Sequence, residues 1–195
     1  PFKKAESPYG ATKQLCEQIL EDVYHEGFRV VSLRYFNPIG AHPSALIGEL
    51  PIGTPNNLVP YMTQAAAGLR DKLTVFGNDY TTKDGSCIRD FIHVIDVVKA
   101  HLIALNFIDK ENKNSLYDTF NVGTGEGVSV LELIQKFETA TKVKLPYTIG
   151  PRRPGDVEKT YANPEKANKV LGWKSAISID DALLHSWEWQ KRIRK

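Results

Sequence analysis

Cysteine is scarce in this sequence. Cys16 and Cys87 are the only two in 195 residues, they lie far apart, and no C-x-x-C occurs. A disulfide framework is therefore not expected, and a reduced, cytoplasmic protein is. The histidines, His25, His42, His93, His101 and His185, fall at no metal-ligand spacing, so no metal site is expected. An excess of one charge is missing too. Lys and Arg number 25 against 23 Asp and Glu, leaving a net charge of +2, which provides no electrostatic footprint for nucleic acid. The basic end "QKRIRK" reads as a solvated helix end. No apolar run reaches membrane-spanning length and no signal-peptide pattern opens the sequence, so no membrane association is expected. Internal repeats and low-complexity tracts are absent as well.

What is present suffices for a core. Hydrophobic residues make up 42%, enough for one good core or one and a half domains. The opening "PFKKAESPYG" reads as a loop feeding a helix, as if the chain begins mid-protein. Ser7 then Pro8 form an N-cap and a first helical position. Leu15, Ile19, Leu20 and Val23 follow at helical spacing, and Gly27 stops the run. "FRVVSLRYF" is a nearly continuous apolar strand, the kind buried on both faces of a parallel sheet. Helix then buried strand is the rhythm of an α/β fold.

A long Pro- and Gly-rich loop, "NPIGAHPSALIGELPIGTPNN", comes next, and loops of that length are usually functional. "LVPYMTQAAAGL" reads as a helix with Asn57 near its N-cap. "LTVF" and "CIRDFI" read as strands, "VIDVVKAHLIALNFI" as an amphipathic helix and "DTFNVG" as a strand. Ser129 with Glu132 forms a capping box for "VLELIQKFETATK". "LPYTIG" reads as a strand, "PRRPGDVEKTYAN" as a polar loop, and "PEKANKVLGW" and "IDDALLHSWEWQKRI" as two helices. "NVGTGEG" follows a strand and precedes a helix, as a dinucleotide loop does. Its glycines, however, make G-x-G-x-G rather than G-x-G-x-x-G, and no acidic residue closes a second strand about 20 residues on. A tight turn needing permissive backbone is the better reading, and no other Gly-rich candidate exists along the chain.

Tyr9 and Lys13 are four residues apart at a helix start, so they share one face. An ammonium beside a phenol favours the phenolate, which makes such a pair a candidate general base. Alone, the spacing is equally that of an ordinary exposed helix. Its company adds to it: "SPYGATK", "LRYFNPIGAHPS", "PNNLVPY", "VFGNDYTTKDGSCIRDFIHVIDV", "FNVGTGEGVSV" and "PRRPGDV" occur in this order. From Pro8 to about Trp189, the chain closely resembles the C-terminal part of the UDP-glucose 4-epimerases, a family of extended short-chain dehydrogenases/reductases. Y-x-x-x-K marks only the superfamily. "RYFNPIGAHPS" with "GNDYTTKDGSCIRDFIHV" is far more specific.

The resemblance implies an α/β fold: the C-terminal part of a Rossmann-like parallel sheet plus a smaller mixed α/β substrate domain. It places 1–36 and 88–123 in a remnant of the NAD-binding domain without its Gly-rich loop, and 37–87 and 124–195 in the UDP-sugar domain. It implies NAD-dependent interconversion of UDP-glucose and UDP-galactose in the full-length enzyme, with the fragment alone inactive. Tyr9 would take the proton from the sugar 4-hydroxyl. Lys13 would lower its pKa and hold the nicotinamide ribose, and Phe36 would touch nicotinamide. The family's catalytic Ser or Thr would lie upstream. Asn37, Asn57 and Leu58 match substrate contacts, the last two at a helix N-terminus suited to phosphate. Thr74, Val75 and Phe76 match the segment that holds uracil. Arg89 and Arg153 match arginines that clamp the pyrophosphate, with Arg152 as the exposed neighbour, and Asp156 matches the acid on the ribose.

Plain alternatives stand beside these: core packing for Phe36 and Val75, and surface ion pairs for the arginines. His93 and Asp96 read as structural, a satisfied histidine and an acid at a helix start. Thr160 stands where some relatives carry a bulky Tyr, which implies room for UDP-N-acetylhexosamines. The resemblance also implies a homodimer through the Tyr9 helix, with Cys16, Ile19, Leu20 and Val23 as contacts or, equally, as intrachain core. A sister epimerase or a 4,6-dehydratase is an alternative, although Gly10, Ala11 and Thr12 beside Tyr9 offer no acid/base pair for water loss. A non-catalytic UDP-sugar-binding fragment is another.

Overall fold

The computed structural model describes residues 5, 7–111 and 113–193. The opening loop expected before Ser7, apart from Ala5, and the last two residues of the basic end lie outside them. In order, the elements are α1 (Pro8–Val23), β1 (Arg29–Tyr35), β2 (Asn37–Ile39), α2 (Leu58–Ala66), β3 (Leu73–Phe76), β4 (Ile88–Arg89), β5 (Phe91–His93), α3 (Val94–Lys110), β6 (Leu116–Val122), β7 (Val128–Ser129), α4 (Val130–Thr141), β8 (Tyr147–Gly150), β9 (Lys159–Thr160) and α5 (Ile179–Ile193).

Local chemistry sets the helix starts. Ser7 is extended and its Oγ accepts the Gly10 N–H at 3.1 Å, with Pro8 in the first turn. Gly27, at φ +90°, closes the tightened last turn that follows α1. Ser129 Oγ accepts the Glu132 N–H at 3.1 Å and starts α4 as the capping box predicts.

The strands pair mostly in parallel. β1 runs beside β6 from Arg29↔Leu116 to Tyr35↔Val122, β2 beside β5, β3 beside β8 and β4 beside β9; β7 joins β4 antiparallel. The α/β class with parallel strands is therefore as expected. β1 departs from the expected burial on both faces. Its middle residues are half-buried and its ends exposed, because β6 is its one strand neighbour among the described residues. α1 lies against this sheet by polar contacts: Arg34 forks onto Glu17, with Nε to Oε1 at 2.6 Å, and the Tyr117 hydroxyl donates to the Glu17 carbonyl.

Two apolar clusters hold the chain together. One gathers Ile92, Val97, Ala100, Phe120, Val122, Ala167 and Trp173 under α3 and β6. The other joins α2, α4 and α5 to β3 around Met62, Val75, Leu133, Phe137 and Leu183. Two elements differ from expectation. "CIRDFI" is two short strands rather than one, divided at Asp90 and belonging to different sheets. "PEKANKVLGW" widens into a π-type turn at Ala167–Leu171 instead of an ordinary helix, and there Ala167 packs fully buried in the α3 cluster.

Candidate functional site

A cleft of about 440 Å³ opens between the start of α2, the strand β3 and the β4 region. Asn57, Leu58 and Tyr61 come from α2, Thr74, Val75 and Phe76 from β3, Arg89 from β4, and Arg153 and Asp156 from the polar loop before β9; Asn37 adds a further wall. Elements far apart in sequence thus bring most of the predicted substrate residues to one place. Tyr9, Lys13, Phe36 and Thr160 are not among its lining residues. Tyr9 is 71% exposed on α1, and the Lys13 ammonium stands 5.1 Å from its ring centroid, on the shared face that the spacing predicts. Phe36 is half-buried beside β1, its N–H on the Val122 carbonyl. Thr160 is half-buried on β9, paired in register with Arg89.

The charged wall is built around one carboxylate. Arg89 Nη2 and Arg153 Nε each lie 3.5 Å from Asp156, one on each oxygen. Two guanidiniums against one carboxylate leave a positive surplus, which suits a phosphate-bearing ligand. Arg153 also lies over Phe76, 5.3 Å from the ring centroid. Arg152 turns the other way, bonding Asp79 at 2.7 Å and stacking on Tyr80. Both side chains are exposed, Arg153 at 58% and Arg152 at 46%, so the two differ in the direction they take rather than, as expected, in Arg152 being the exposed neighbour.

α2 brings a further phosphate-friendly feature. Asn57 is at its N-cap but makes no capping bond; its Nδ2 donates instead to Glu49 Oε1 at 2.7 Å. The first-turn amides near Leu58 are thus without that side-chain cap beside the cleft. β3 pairs with β8 and with no other strand among the described residues, so its second edge has backbone groups to offer.

Several lining residues escaped the sequence reading: Pro55, Asn56, Tyr61, Leu73, Cys87, Phe91 and Val130. Helical spacing from Asn57 could have indicated Tyr61, four residues on. Cys87 and Phe91 carry no such signal. Burial pushes the Cys87 thiol up from its ordinary value, and burial with the nearby Asp156 charge does the same to the Tyr80 phenol, whose hydroxyl has no hydrogen-bond partner among the described residues.

The Gly-rich stretch "NVGTGEG" is a turn, and its amides are already engaged. The Thr124 and Gly125 N–H groups each donate at 3.0 Å to the Asp90 carboxylate, which also accepts the Thr124 hydroxyl and the Ala162 N–H. A Cβ at Gly123 would stand 2.5 Å from Asp90 Oδ2 and from Ala162 Cβ. An internal carboxylate fills the place a nucleotide phosphate takes in a dinucleotide loop.

His93 and Asp96 have structural partners. His93 Nδ1 accepts the Ile95 N–H at the start of α3, so its Nε2 carries the proton and donates to His185 Nδ1 at 3.0 Å. Asp96 accepts the Ala176 and Ile177 N–H groups, both at 2.8 Å. Among the described residues, no group of three or more His, Cys, Asp or Glu is placed to hold a metal, and no helix is long and apolar enough to cross a membrane.

The family model described as GDP-mannose 4,6 dehydratase matches residues 1–185. The chain is 50% identical over 185 residues to the bifunctional protein GAL10 of Pachysolen tannophilus, covering 94% of this chain and 27% of that protein. It is 49% identical to a UDP-glucose 4-epimerase of Yersinia enterocolitica, covering 95% of this chain and 54% of that one. The crystal structure of a Bifidobacterium longum UDP-glucose 4-epimerase in complex with NAD+ and UDP superposes with a TM-score of 0.92 at 45% identity, over 98% of this chain and 57% of that one. The chain thus spans about half the length of these two epimerases, and a smaller share of the bifunctional protein. With the family model matching nearly its whole length, this chain belongs to the GDP-mannose 4,6 dehydratase family, in which its relatives include UDP-glucose 4-epimerases.

Proposed function

We propose that this chain is the UDP-sugar-binding part of a UDP-glucose 4-epimerase, and that the whole protein interconverts UDP-glucose and UDP-galactose with NAD. The observation that carries the reading is the pair of guanidiniums, Arg89 and Arg153, sharing Asp156 on the wall of the cleft. A diphosphate seated there exchanges a shared carboxylate for charge-assisted bonds of its own, with the α2 start as a second anion-friendly wall. Asp156 then accepts ribose hydroxyls, and the edge of β3 at Thr74–Phe76 that no strand takes up among the described residues holds the uracil by backbone donors and acceptors. Asn37, Asn57 and Leu58 close the pocket, whose size lies in the range of small-ligand sites.

Tyr9 is the base for the sugar 4-hydroxyl, with the Lys13 ammonium beside its ring. NAD, which the Bifidobacterium longum relative holds, would accept the hydride in the whole protein. Among the described residues, the one Gly-rich turn is filled by Asp90 and offers the NAD pyrophosphate no cradle. Tyr9, Lys13 and Phe36 are the residues here that could touch the cofactor's nicotinamide end, so this chain contributes binding and proton handling.

Residues 1–36 with 88–123, and 37–87 with 124–195, form the two units of this reading. The two apolar clusters follow that division in the main, although Phe91 in one and Ala167, Leu171 and Trp173 in the other cross it, as do the pairings of β2 with β5 and of β4 with β7 and β9. The active form is a cytoplasmic homodimer joined through α1, on which Cys16 and Ile19 are exposed and Leu20 and Val23 half-buried. Thr160, small and in register with Arg89, leaves room for UDP-N-acetylhexosamines. A second reading, a UDP-sugar-binding module without catalysis, is favoured for the chain on its own by the position of Tyr9, exposed and outside the cleft lining.

Isothermal titration of this chain with UDP and with NAD tests the proposal. Weak UDP binding without NAD binding is the expected result. No heat with UDP overturns the cleft assignment, and NAD binding tighter than UDP binding overturns the placement of the cofactor cradle outside these residues.

A further inference from the structure

We propose that Asp90 is a positioning residue for the two arginines of the cleft, acting through the strands that flank β4. The inference rests on reading that cleft as a nucleoside-diphosphate site.

Asp90 follows Arg89 directly and is completely buried. A buried carboxylate is costly unless its lone pairs are used, and no cation pairs with it among the described residues. Four donors serve it instead. One oxygen accepts the Thr124 N–H at 3.0 Å and the Thr124 hydroxyl at 2.7 Å; the other accepts the Gly125 N–H at 3.0 Å and the Ala162 N–H at 3.1 Å. Its backbone is equally engaged. The Asp90 N–H donates to the Thr160 carbonyl at 3.1 Å, and its own carbonyl accepts the Asn37 N–H at 3.0 Å.

These bonds reach three separate segments: the turn that leads into β7, the end of β9, and the start of β2. β7 and β9 are the two neighbours of β4, which carries Arg89. The loop that runs into β9 carries Arg153 and Asp156. The spacing of Arg89 from Arg153 is therefore set by how β9 docks on β4, and the Asp90 carboxylate pins that docking through Ala162. Asp90 touches no ligand in this arrangement. It fixes the separation of the two charges that do, and a diphosphate reads that separation where a bare nucleoside does not.

Two substitutions probe this. Asp90→Asn keeps the shape but puts an amide donor opposite part of the donor set, so some of those N–H groups lose their acceptor. Thr124→Val removes one hydroxyl donor with little change in size, and Thr124→Ser restores it. Affinities of the chain for UDP and for uridine are measured by NMR titration, with circular dichroism to verify folding. Asp90→Asn is expected to weaken UDP on the order of tenfold, since charge-assisted bonds that hold the arginines' segments are lost, while uridine affinity falls by a clearly smaller factor, because its uracil contacts lie at β3 and only the Asp156 bond to its ribose shares the Arg153 loop. Thr124→Val is expected to shift UDP in the same direction by a smaller factor and Thr124→Ser to recover it; if Asp90→Asn does not fold, this pair decides. Equal weakening of UDP and uridine, or unchanged UDP affinity in folded variants, overturns the positioning role and leaves the cleft assignment intact. A parent chain that binds neither compound overturns the cleft assignment, and this role with it.

Discussion

Lowering the pH should loosen the junction between α3 and α5 through His93. This imidazole is 1% exposed. Its Nδ1 is occupied by the Ile95 N–H and its Nε2 by His185, so a second proton has no place without breaking one of these bonds. Burial, and then the His185 ring, lower its pKa from 6.5 to about 4, while the charges of Asp96, Lys99 and Asp181 partly offset one another. Between these two values the unfolded chain holds a proton that the folded chain refuses. The stability His93 contributes is therefore fully present above pH 6.5 and is lost as pH falls toward 4. At about 1.4 kcal/mol per unit, the whole shift amounts to about 3 kcal/mol, with about 2 kcal/mol already lost at pH 5.

Urea melts of the parent chain and of His93→Asn, which keeps an acceptor at the helix start, separate the contribution of His93 and its coupled His185 ring from that of the other titrating groups. The parent should exceed the variant in stability at pH 7.5, and the gap should shrink by about 2 kcal/mol at pH 5. A gap that stays constant over that range refutes the reasoning, because His93 would then titrate alike in the folded and unfolded chains.

Two further outcomes are expected. Arg153→Ala should weaken UDP binding by one to two orders of magnitude, since it removes one of two guanidiniums on the anion wall, while Arg152→Ala, whose side chain serves Asp79 and Tyr80, should change it less than about threefold; titration calorimetry checks both, and equal effects contradict the assigned orientations. In the whole enzyme, Thr160→Tyr should reduce turnover of UDP-N-acetylglucosamine relative to UDP-glucose, as measured by coupled assay of the two epimerised products, and an unchanged ratio removes Thr160 from sugar selection.

The cleft was legible in part. The family resemblance named Asn37, Asn57, Leu58, Thr74–Phe76, Arg89, Arg153 and Asp156, and the fold gathers these around one cleft, while Tyr9, Lys13, Phe36 and Thr160, named in the same way, lie outside its lining. Tyr61 is marked by its helical spacing from Asn57, but Cys87 and Phe91 are not legible, because nothing in their own neighbourhoods distinguishes a cleft wall from a core. "CIRDFI" reads as one strand for a related reason. Its apolar rhythm is continuous, and the break at Asp90 is made by partners 34 to 72 residues away. The π-type turn at Ala167–Leu171 likewise follows from fitting Ala167 into a cluster formed by α3 and β6.

Local rules settle what neighbouring residues can arrange among themselves. Ser7 and Pro8 start α1, Ser129 starts α4, alternating and helical apolar spacing sets the element order, and Tyr9 meets Lys13 across one turn, all through interactions reaching no further than four residues. Which of two adjacent arginines faces the cleft, and which anion fills a glycine-rich turn, are matters of packing between distant segments. There, a buried carboxylate and its donors find each other only once the chain has closed, and "NVGTGEG", which resembles a nucleotide cradle as a string, becomes the seat of the protein's own Asp90.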